Sequence, residues 1–319
     1  MSRAARIIVS TRQEQMEQYR HRAYRSAVDP IKSDRERFAI IPPGVNRRIF
    51  SPKATELDPA IKARLNAALR RDLPPARQNL PLILCASRLD QKKNHPGLAQ
   101  AFAHSASLRA VANLAIVARG LDNPMQDRHQ LPDEERSILD EIASLLDKHA
   151  LWHTLTTFPL NNQAELAAAC RIAAKQQSVF ALTAHYEPFG LAPLEAMSCG
   201  QPAVVTRNGG PAESLFDAQT QRKFGVLVDP DDPQSIARGL LEALSPQKIW
   251  REYQQAGLQR VISRYTWDRT AAGYLSELKG LLSEPQHRPN ALPIPACFTN
   301  PRPENAIPLL GLTERYLET

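Results

Sequence analysis

The chain has no two cysteines at the CxxC spacing of a zinc knuckle or a redox pair. Its four cysteines, Cys85, Cys170, Cys199 and Cys297, are scattered, three of them in apolar or helical stretches. Buried thiols in a reducing compartment are the expectation, and neither a disulfide framework nor a Cys/His metal set is supported. No apolar run approaches the roughly 20 residues a membrane helix needs. The opening Met1-Ser2-Arg3-Ala4-Ala5-Arg6-Ile7-Ile8-Val9-Ser10 holds a three-residue apolar run, too short for a secretory signal. These absences predict a cytoplasmic protein without a membrane partner. Aromatic residues make up 6% of the chain, and none interleave in a binding pattern with its basic N-terminal stretch. Residues 1–48 hold eleven Lys/Arg against five Asp/Glu, a local +6 within a net charge of +7. That segment reads as a solvated helix or a face toward an acidic partner, not as a nucleic-acid surface. GxGxxG, Walker A, HExxH and GxSxG are all missing, so the chemistries they serve lack their residues.

What is present suits a folded protein of one large or two ordinary domains: 319 residues, 43% of them hydrophobic. Ile7-Ile8-Val9 predicts a short strand, and Ser10 or Thr11 caps a basic helix running to about Ala27. Phe38 to Ile41 predicts a second strand, closed by Pro42-Pro43-Gly44. From Leu80 the order becomes regular. Strands are predicted at 82–86, 114–118, 154–158, 179–182, 203–206 and 225–228. Helices are predicted at about 95–110, 133–149 and 163–175, after Gly190, after Pro211 and after Pro233. Short all-apolar runs alternating with helices predict an α/β fold, a doubly wound, Rossmann-like parallel sheet. In such sheets ligands bind beyond the carboxyl ends of the strands, where every polar loop falls. Residues 246–283 read as two helices around Tyr265-Thr266-Trp267-Asp268. From Glu284 the chain is rich in proline and reads as an extended tail.

One stretch concentrates chemistry: Glu187-Pro188-Phe189-Gly190-Leu191-Ala192-Pro193-Leu194-Glu195. It predicts strand, turn, helix, with Glu187 in the turn, Glu195 on the helix, and free N–H groups at a helix start that attracts anions. Arg88 and Lys93 follow an earlier strand, where they are either phosphate ligands or solvated charges. Arg207-Asn208-Gly209-Gly210-Pro211 follows another, either a tight turn or a place where backbone approaches a ligand. Paired carboxylates raise glycoside hydrolysis, but that reaction leaves the phosphate-type loops without a purpose. Carboxylates that accept hydroxyl hydrogen bonds, with cations between them, suit a nucleotide sugar: hexose, diphosphate, ribose. The histidines His95, His153 and His185 stand singly, and a structural or solvent-facing role is the simpler reading.

EPFGLAPLEAMSCGQPAVVTRNGGPAE resembles the signature of retaining GT-B glycosyltransferases of family 4. Arg88-Leu89-Asp90-x-x-Lys93-Asn94 resembles that family's phosphate-binding loop. With Ser10 to Glu14, Ile41 to Val45 and Asn208 to Pro211, the likeness extends to the sucrose-phosphate synthase branch and covers roughly residues 6–283. The resemblance implies that Glu187 holds sugar hydroxyls, with the backbone of Phe189, Gly190 and Leu191 beside sugar and diphosphate. It implies that Glu195 binds the ribose and that Arg88 and Lys93 stabilise the leaving diphosphate, without metal or cofactor. Asn208, Gly209 and Gly210 complete the substrate-binding set, and the loops Arg119 to Asn123 and Phe158 to Asn162 face the base. The implied donor is UDP-glucose and the implied acceptor fructose 6-phosphate.

The same resemblance divides the chain into a remnant of an N-terminal acceptor domain (1–45), a nucleotide-sugar domain (46–265), a crossover helix (266–283) and the Pro-rich tail (284–319). Most of the family's acceptor domain has no counterpart. Three readings follow: a hexosyltransferase, the donor-binding subunit of a split enzyme whose acceptor domain is a separate polypeptide, or an inactive nucleotide-sugar-binding protein.

Overall fold

The computed structural model describes residues 4–19, 21, 37–244, 246–283, 296–300 and 302–305. The remainder of the basic helix expected to reach Ala27, and most of the Pro-rich tail, lie outside the described residues. The chain divides into two compact units, Pro43–Thr270 and Met1–Pro42 with Ala271–Thr319.

In the unit holding both termini, β1 (Ile7–Val9) pairs in parallel with β2 (Phe38–Ile40). Between them a helical run begins at a reciprocal cap. Thr11 Oγ1 accepts the Glu14 N–H at 3.0 Å, while the Glu14 carboxylate accepts the Ser10 N–H at 2.7 Å. Either donor would otherwise be an orphan of the helix start.

The larger unit carries a six-stranded, all-parallel sheet. Its strands are β3 (Leu82–Cys85), β4 (Asn113–Ala118), β5 (Leu155–Pro159), β6 (Val179–Leu182), β7 (Ala203–Thr206) and, after a small antiparallel hairpin of β8 (Phe216–Asp217) and β9 (Arg222–Lys223), β10 (Val226–Val228). The spatial order is β10-β7-β6-β3-β4-β5. The chain thus winds outward from β3 through β4 to β5, returns to the centre at β6, and winds the other way. This reversal between β3 and β6 is the topological switch point, and in such sheets ligands bind beyond the carboxyl ends of the strands there.

Strands buried on both faces read as continuous apolar runs, and successive residues of β3 show why. Leu82 and Leu84 enter one core, with α1 (Asp58–Asp72), α5 (Gln163–Lys175) and α6 (Leu191–Ser198). Ile83 and Cys85 enter the other, with α2 (His95–His104), α3 (Ala106–Val111), α4 (Asp133–His149) and α8 (Pro233–Leu244). The short α7 (Pro211–Ser214) follows β7, and α9 (Gln247–Arg264) leads into α10 (Trp267–Ser283). Among the described residues no helix is long and apolar enough to cross a membrane.

Three features differ from the sequence reading. The single helix expected over 95–110 is two, because Ser105 adopts extended backbone and its hydroxyl accepts the Leu108 N–H at 3.3 Å, starting a new helix. The helix α1 and the β8–β9 hairpin were not foreseen. On α1, Ile61, Leu65, Ala68 and Leu69 form the buried stripe. The C-terminal pair of α1 closes the open side of edge strand β5. Asp72 Oδ2 accepts the Thr156 hydroxyl at 2.7 Å and the Thr157 N–H at 3.3 Å, and Arg71 donates to the Thr157 carbonyl at 2.6 Å.

At the other end of α1, Asp58 anchors the helix to α5. Arg171 donates to both Asp58 oxygens, at 2.6 and 3.0 Å, and also reaches Thr55 Oγ1 at 3.1 Å. Burial alone would raise the Asp58 pKa, but the hydrogen bonds and charge of Arg171, with help from Thr55, outweigh it and hold the carboxyl below its usual range. Asp58→Ala would leave a buried guanidinium without its counter-charge. A loss of about 3–5 kcal/mol in urea-unfolding stability is expected. Wild-type stability from this pair should likewise fall as acid protonates Asp58 below its ordinary pKa.

Candidate functional site

The site grows from the two loops that leave the switch point. After β3 the chain runs through Ser87 and Arg88 to a single tight turn, Gln91–Lys93, capped by Asp90, whose Oδ1 accepts the Lys93 N–H at 3.1 Å. Asn94 follows in the left-handed region (φ 55°). Its Oδ1 accepts the Gly97 N–H at 3.1 Å and caps α2, its Nδ2 donates to the Pro230 carbonyl at 2.9 Å, and its carbonyl accepts the Thr183 hydroxyl at 3.3 Å. One residue therefore ties the loops after β3, β6 and β10 together. An Asn just ahead of a helix with Pro in its first turn is a start signal readable in sequence, but its bonds to the other two loops are not.

The loop after β6 is strung between its neighbours. The His185 N–H donates to the Lys92 carbonyl at 3.0 Å, and Glu187 pairs with the loop after β7. There its N–H meets the Asn208 carbonyl at 3.1 Å, and its carbonyl accepts the Gly210 N–H at 3.0 Å. Gly209 has φ 98°, and a Cβ there would lie 2.1 Å from the Glu187 carbonyl oxygen. At Gly210 a Cβ would fall 2.6 Å from Phe189 Cα. The double glycine is thus a consequence of two loops stacked backbone to backbone. Asn208 Nδ2 holds the His185 carbonyl at 2.9 Å, and His185 Nδ1 stands 2.9 Å from Asp231 Oδ1.

This scaffold brings Lys93 and Glu187 together: Nζ lies 2.7 Å from Oε2, with the side chains 17% and 12% exposed. Arg88 is not drawn in. Its side chain is 85% exposed and 3.5 Å from Asp90 Oδ2, at the mouth of the site. Phe189 packs edge-on against Tyr265, with ring centroids 6.0 Å apart. Gly190, at φ 86°, turns the chain into α6, so Leu191 opens the helix and presents its free N–H end. Glu195, on the same helix, is half-buried, and burial pushes its carboxyl up to about 7. A carboxyl so placed favours a partner that donates hydrogen bonds to its ionised form.

Next to these groups lies a cleft of about 500 Å³, bounded by Ser87 to Asp90, Val117 to Arg119, and Leu160, Asn162, Gln163 and Leu166. It crosses the carboxyl ends of β3, β4 and β5 and shares Arg88 with the phosphate-type loop; Lys93, Glu187 and Glu195 do not line it. The geometry therefore has two parts, a half-apolar cleft at the ends of β3, β4 and β5 and, outside it, the buried Lys93–Glu187 pair. Ser87, on the cleft wall, is 3.1 Å from His95 Nε2. Burial drives that imidazole down to about 4, so it stays neutral and fixes the hydroxyl without adding charge. The serine–histidine contact had no signal in the sequence.

Residues 70–260 match the family model described as glycosyl transferases group 1. A protein of Thermosipho melanesiensis described as a probable sucrose-phosphate synthase is 33% identical over 276 residues, which is 86% of this chain and 54% of the relative. The sucrose-phosphate synthase of Zea mays is 32% identical over 257 residues, 76% of this chain and 23% of the relative. Among solved structures, the sucrose-phosphate synthase of Thermosynechococcus elongatus superposes with a TM-score of 0.61 at 24% identity, covering 87% of this chain and 58% of that one. Anabaena HepE, solved in complex with UDP-glucose, superposes with a TM-score of 0.62 at 17% identity, covering 87% and 64%. The chain thus spans between about a quarter and about a half of the length of the curated relatives it matches. Its sheet is one Rossmann-like domain of the GT-B type.

Two glycines with similar backbone separate conformational strain from loop stacking. Gly120 has φ 82° with nothing within 4 Å of an added Cβ, whereas Gly209 has φ 98° and meets the Glu187 carbonyl. Gly120→Ala is expected to cost about 1 kcal/mol. Gly209→Ala should cost clearly more, because the Glu187 loop must move. Thermal denaturation of the two variants compares them directly.

Proposed function

Because the chain belongs to the group 1 glycosyltransferases, we propose that it binds a nucleotide sugar and supplies the donor half of a retaining, family 4 hexosyltransferase similar to sucrose-phosphate synthase. UDP-glucose is the donor and fructose 6-phosphate the acceptor in this reading, and residues 46–265 form the donor domain. The observation that carries it is the buried Lys93–Glu187 pair at the switch point, beside a cleft of about 500 Å³. UDP and UDP-glucose in the solved complexes of a structural neighbour support the choice of ligand.

In this reading the base enters the cleft along the loops Arg119 to Asn123 and Phe158 to Asn162. Glu195 accepts the ribose hydroxyls. The diphosphate lies over Lys93, the N–H groups at Gly190 and Leu191, and the turn of Asn208, Gly209 and Gly210, with Arg88 swinging in from the mouth. Glu187 accepts hexose hydroxyls. As the acceptor hydroxyl oxygen bonds to the anomeric carbon, the bond from that carbon to the diphosphate breaks, and the hydroxyl proton passes to the departing phosphate oxygen. Negative charge builds on the departing phosphate, where fixed cations and N–H dipoles stabilise it most. Attack from the face the diphosphate leaves retains the configuration.

A second reading, a donor subunit completed by a separate acceptor polypeptide, is favoured by one feature of α10. Tyr274, Leu275, Leu278 and Leu282 are 44–70% exposed along a single helix, an apolar stripe that suits a protein partner. Co-purification of such a chain, and transfer only in its presence, distinguishes this reading from the first.

Calorimetry with UDP-glucose tests the common core. Binding is expected, and Glu195→Ala should weaken it; no binding by the wild-type chain overturns the proposal. The pH dependence has a definite sign. With its carboxyl titrating near 7, free Glu195 is largely protonated at pH 6, and hydroxyl donors favour the ionised form. Affinity should therefore rise up to about tenfold between pH 6 and pH 8, with proton release on binding at the lower pH. The Glu195→Ala variant should lose that slope.

A further inference from the structure

Lys93 and Glu187 are each other's partner in the structure, and this has a consequence for how ligands are told apart. Neither end of the pair is adjustable at the backbone. Lys93 is pinned by the Asp90 cap at 3.1 Å, and Glu187 by backbone bonds of 3.1 and 3.0 Å to Asn208 and Gly210. The two loops are themselves joined by the His185 to Lys92 bond at 3.0 Å. Both charged groups are largely buried, so each depends on the other for neutralisation, and separating them without replacement is costly.

Resting on the nucleotide-sugar reading above, we propose that this ion pair is an internal competitor that discriminates an intact sugar nucleotide from the free nucleoside diphosphate. An anion that engages Lys93 must take it from Glu187. A diphosphate alone does so and strands a buried carboxylate. A free sugar alone competes with Lys93 for the carboxylate and strands a buried ammonium. A sugar diphosphate replaces both partners at once: phosphate oxygens receive the lysine, and sugar hydroxyls donate to the glutamate. The pair therefore penalises either half of the ligand presented singly and spares the whole. It weakens the grip on the departing nucleoside diphosphate once the sugar has gone. Glu187 is in this account a specificity-determining residue with a measurable effect on a ligand that lacks the sugar it would bind.

The test is calorimetry on the full chain with two probes, UDP and UDP-glucose. Glu187→Gln keeps the side-chain shape and removes the charge. It should bind UDP more tightly than wild type, by about fivefold or more, while gaining nothing for UDP-glucose, so the ratio of the two affinities shifts toward UDP. Glu187→Ala should move UDP in the same direction and serves if the Gln variant does not fold. On a Lys93→Met background, Glu187→Gln should no longer tighten UDP, because there is no lysine left to release. Tightening of equal size on both backgrounds would mean simple repulsion between Glu187 and the diphosphate, and would overturn the proposal. Unchanged or weaker UDP binding by Glu187→Gln overturns it as well. If wild type binds UDP-glucose and these variants behave so, only this inference fails; if wild type binds neither probe, the nucleotide-sugar reading fails with it.

Discussion

The candidate site depends on Asn94 holding a left-handed backbone at the end of the loop after β3. That conformation is uncommon for a residue with a side chain, and here three hydrogen bonds to separate elements compensate it. The helix cap sets the direction of α2, the bond to Pro230 draws in the loop after β10, and the carbonyl receives Thr183 just beyond β6. Because strands in a parallel sheet contribute only their ends to a ligand site, loop positions are not fixed by the sheet ladder. The tie at Asn94 supplies the missing constraint, and the neighbouring Lys93 inherits its position from it.

Much of the architecture could be read directly. Leu82 to Cys85 and Val179 to Leu182 are apolar because both faces of a central parallel strand are covered, which makes them unmistakable runs. Glycine–proline punctuation at 200–202 ends α6 where expected, and of the two capping candidates Ser10 and Thr11 it is Thr11 whose hydroxyl accepts the Glu14 N–H. Helix α1 is masked in the sequence although Ile61, Leu65, Ala68 and Leu69 have helical spacing, because charged residues crowd the rest of its surface. Ser105 breaks an apparently continuous helix, since a serine accepts a hydrogen bond from the following turn as readily as it sits within one.

The candidate residues were legible as types and as loop positions, not as contacts. Glu187 and Lys93 are 94 positions apart, and nothing local marks them as partners. Their meeting follows from the winding order, which places β6 beside β3. Arg88, with the same charge five residues earlier in the same loop, projects into solvent because the Asp90-capped turn reverses the chain between them. Glu195 shows the opposite limit. Its place on a helix was evident, but the burial that raises its pKa comes from tertiary packing, which no spacing rule reports. The size of the relatives adds a constraint of another kind: a chain that spans half of one relative carries one wall of a two-walled cleft in the proposed reading.

The Arg71–Asp72 pair at the end of α1 has a broader implication. Together the two side chains offer Thr157 an acceptor for its N–H and a donor for its carbonyl, the same pattern a seventh strand would present. The sheet is therefore terminated by a two-residue imitation of backbone. An exposed strand edge is a template on which other chains pair and aggregate; here the template is already read by its own protein. Strand addition across Thr157 of β5 is thereby closed.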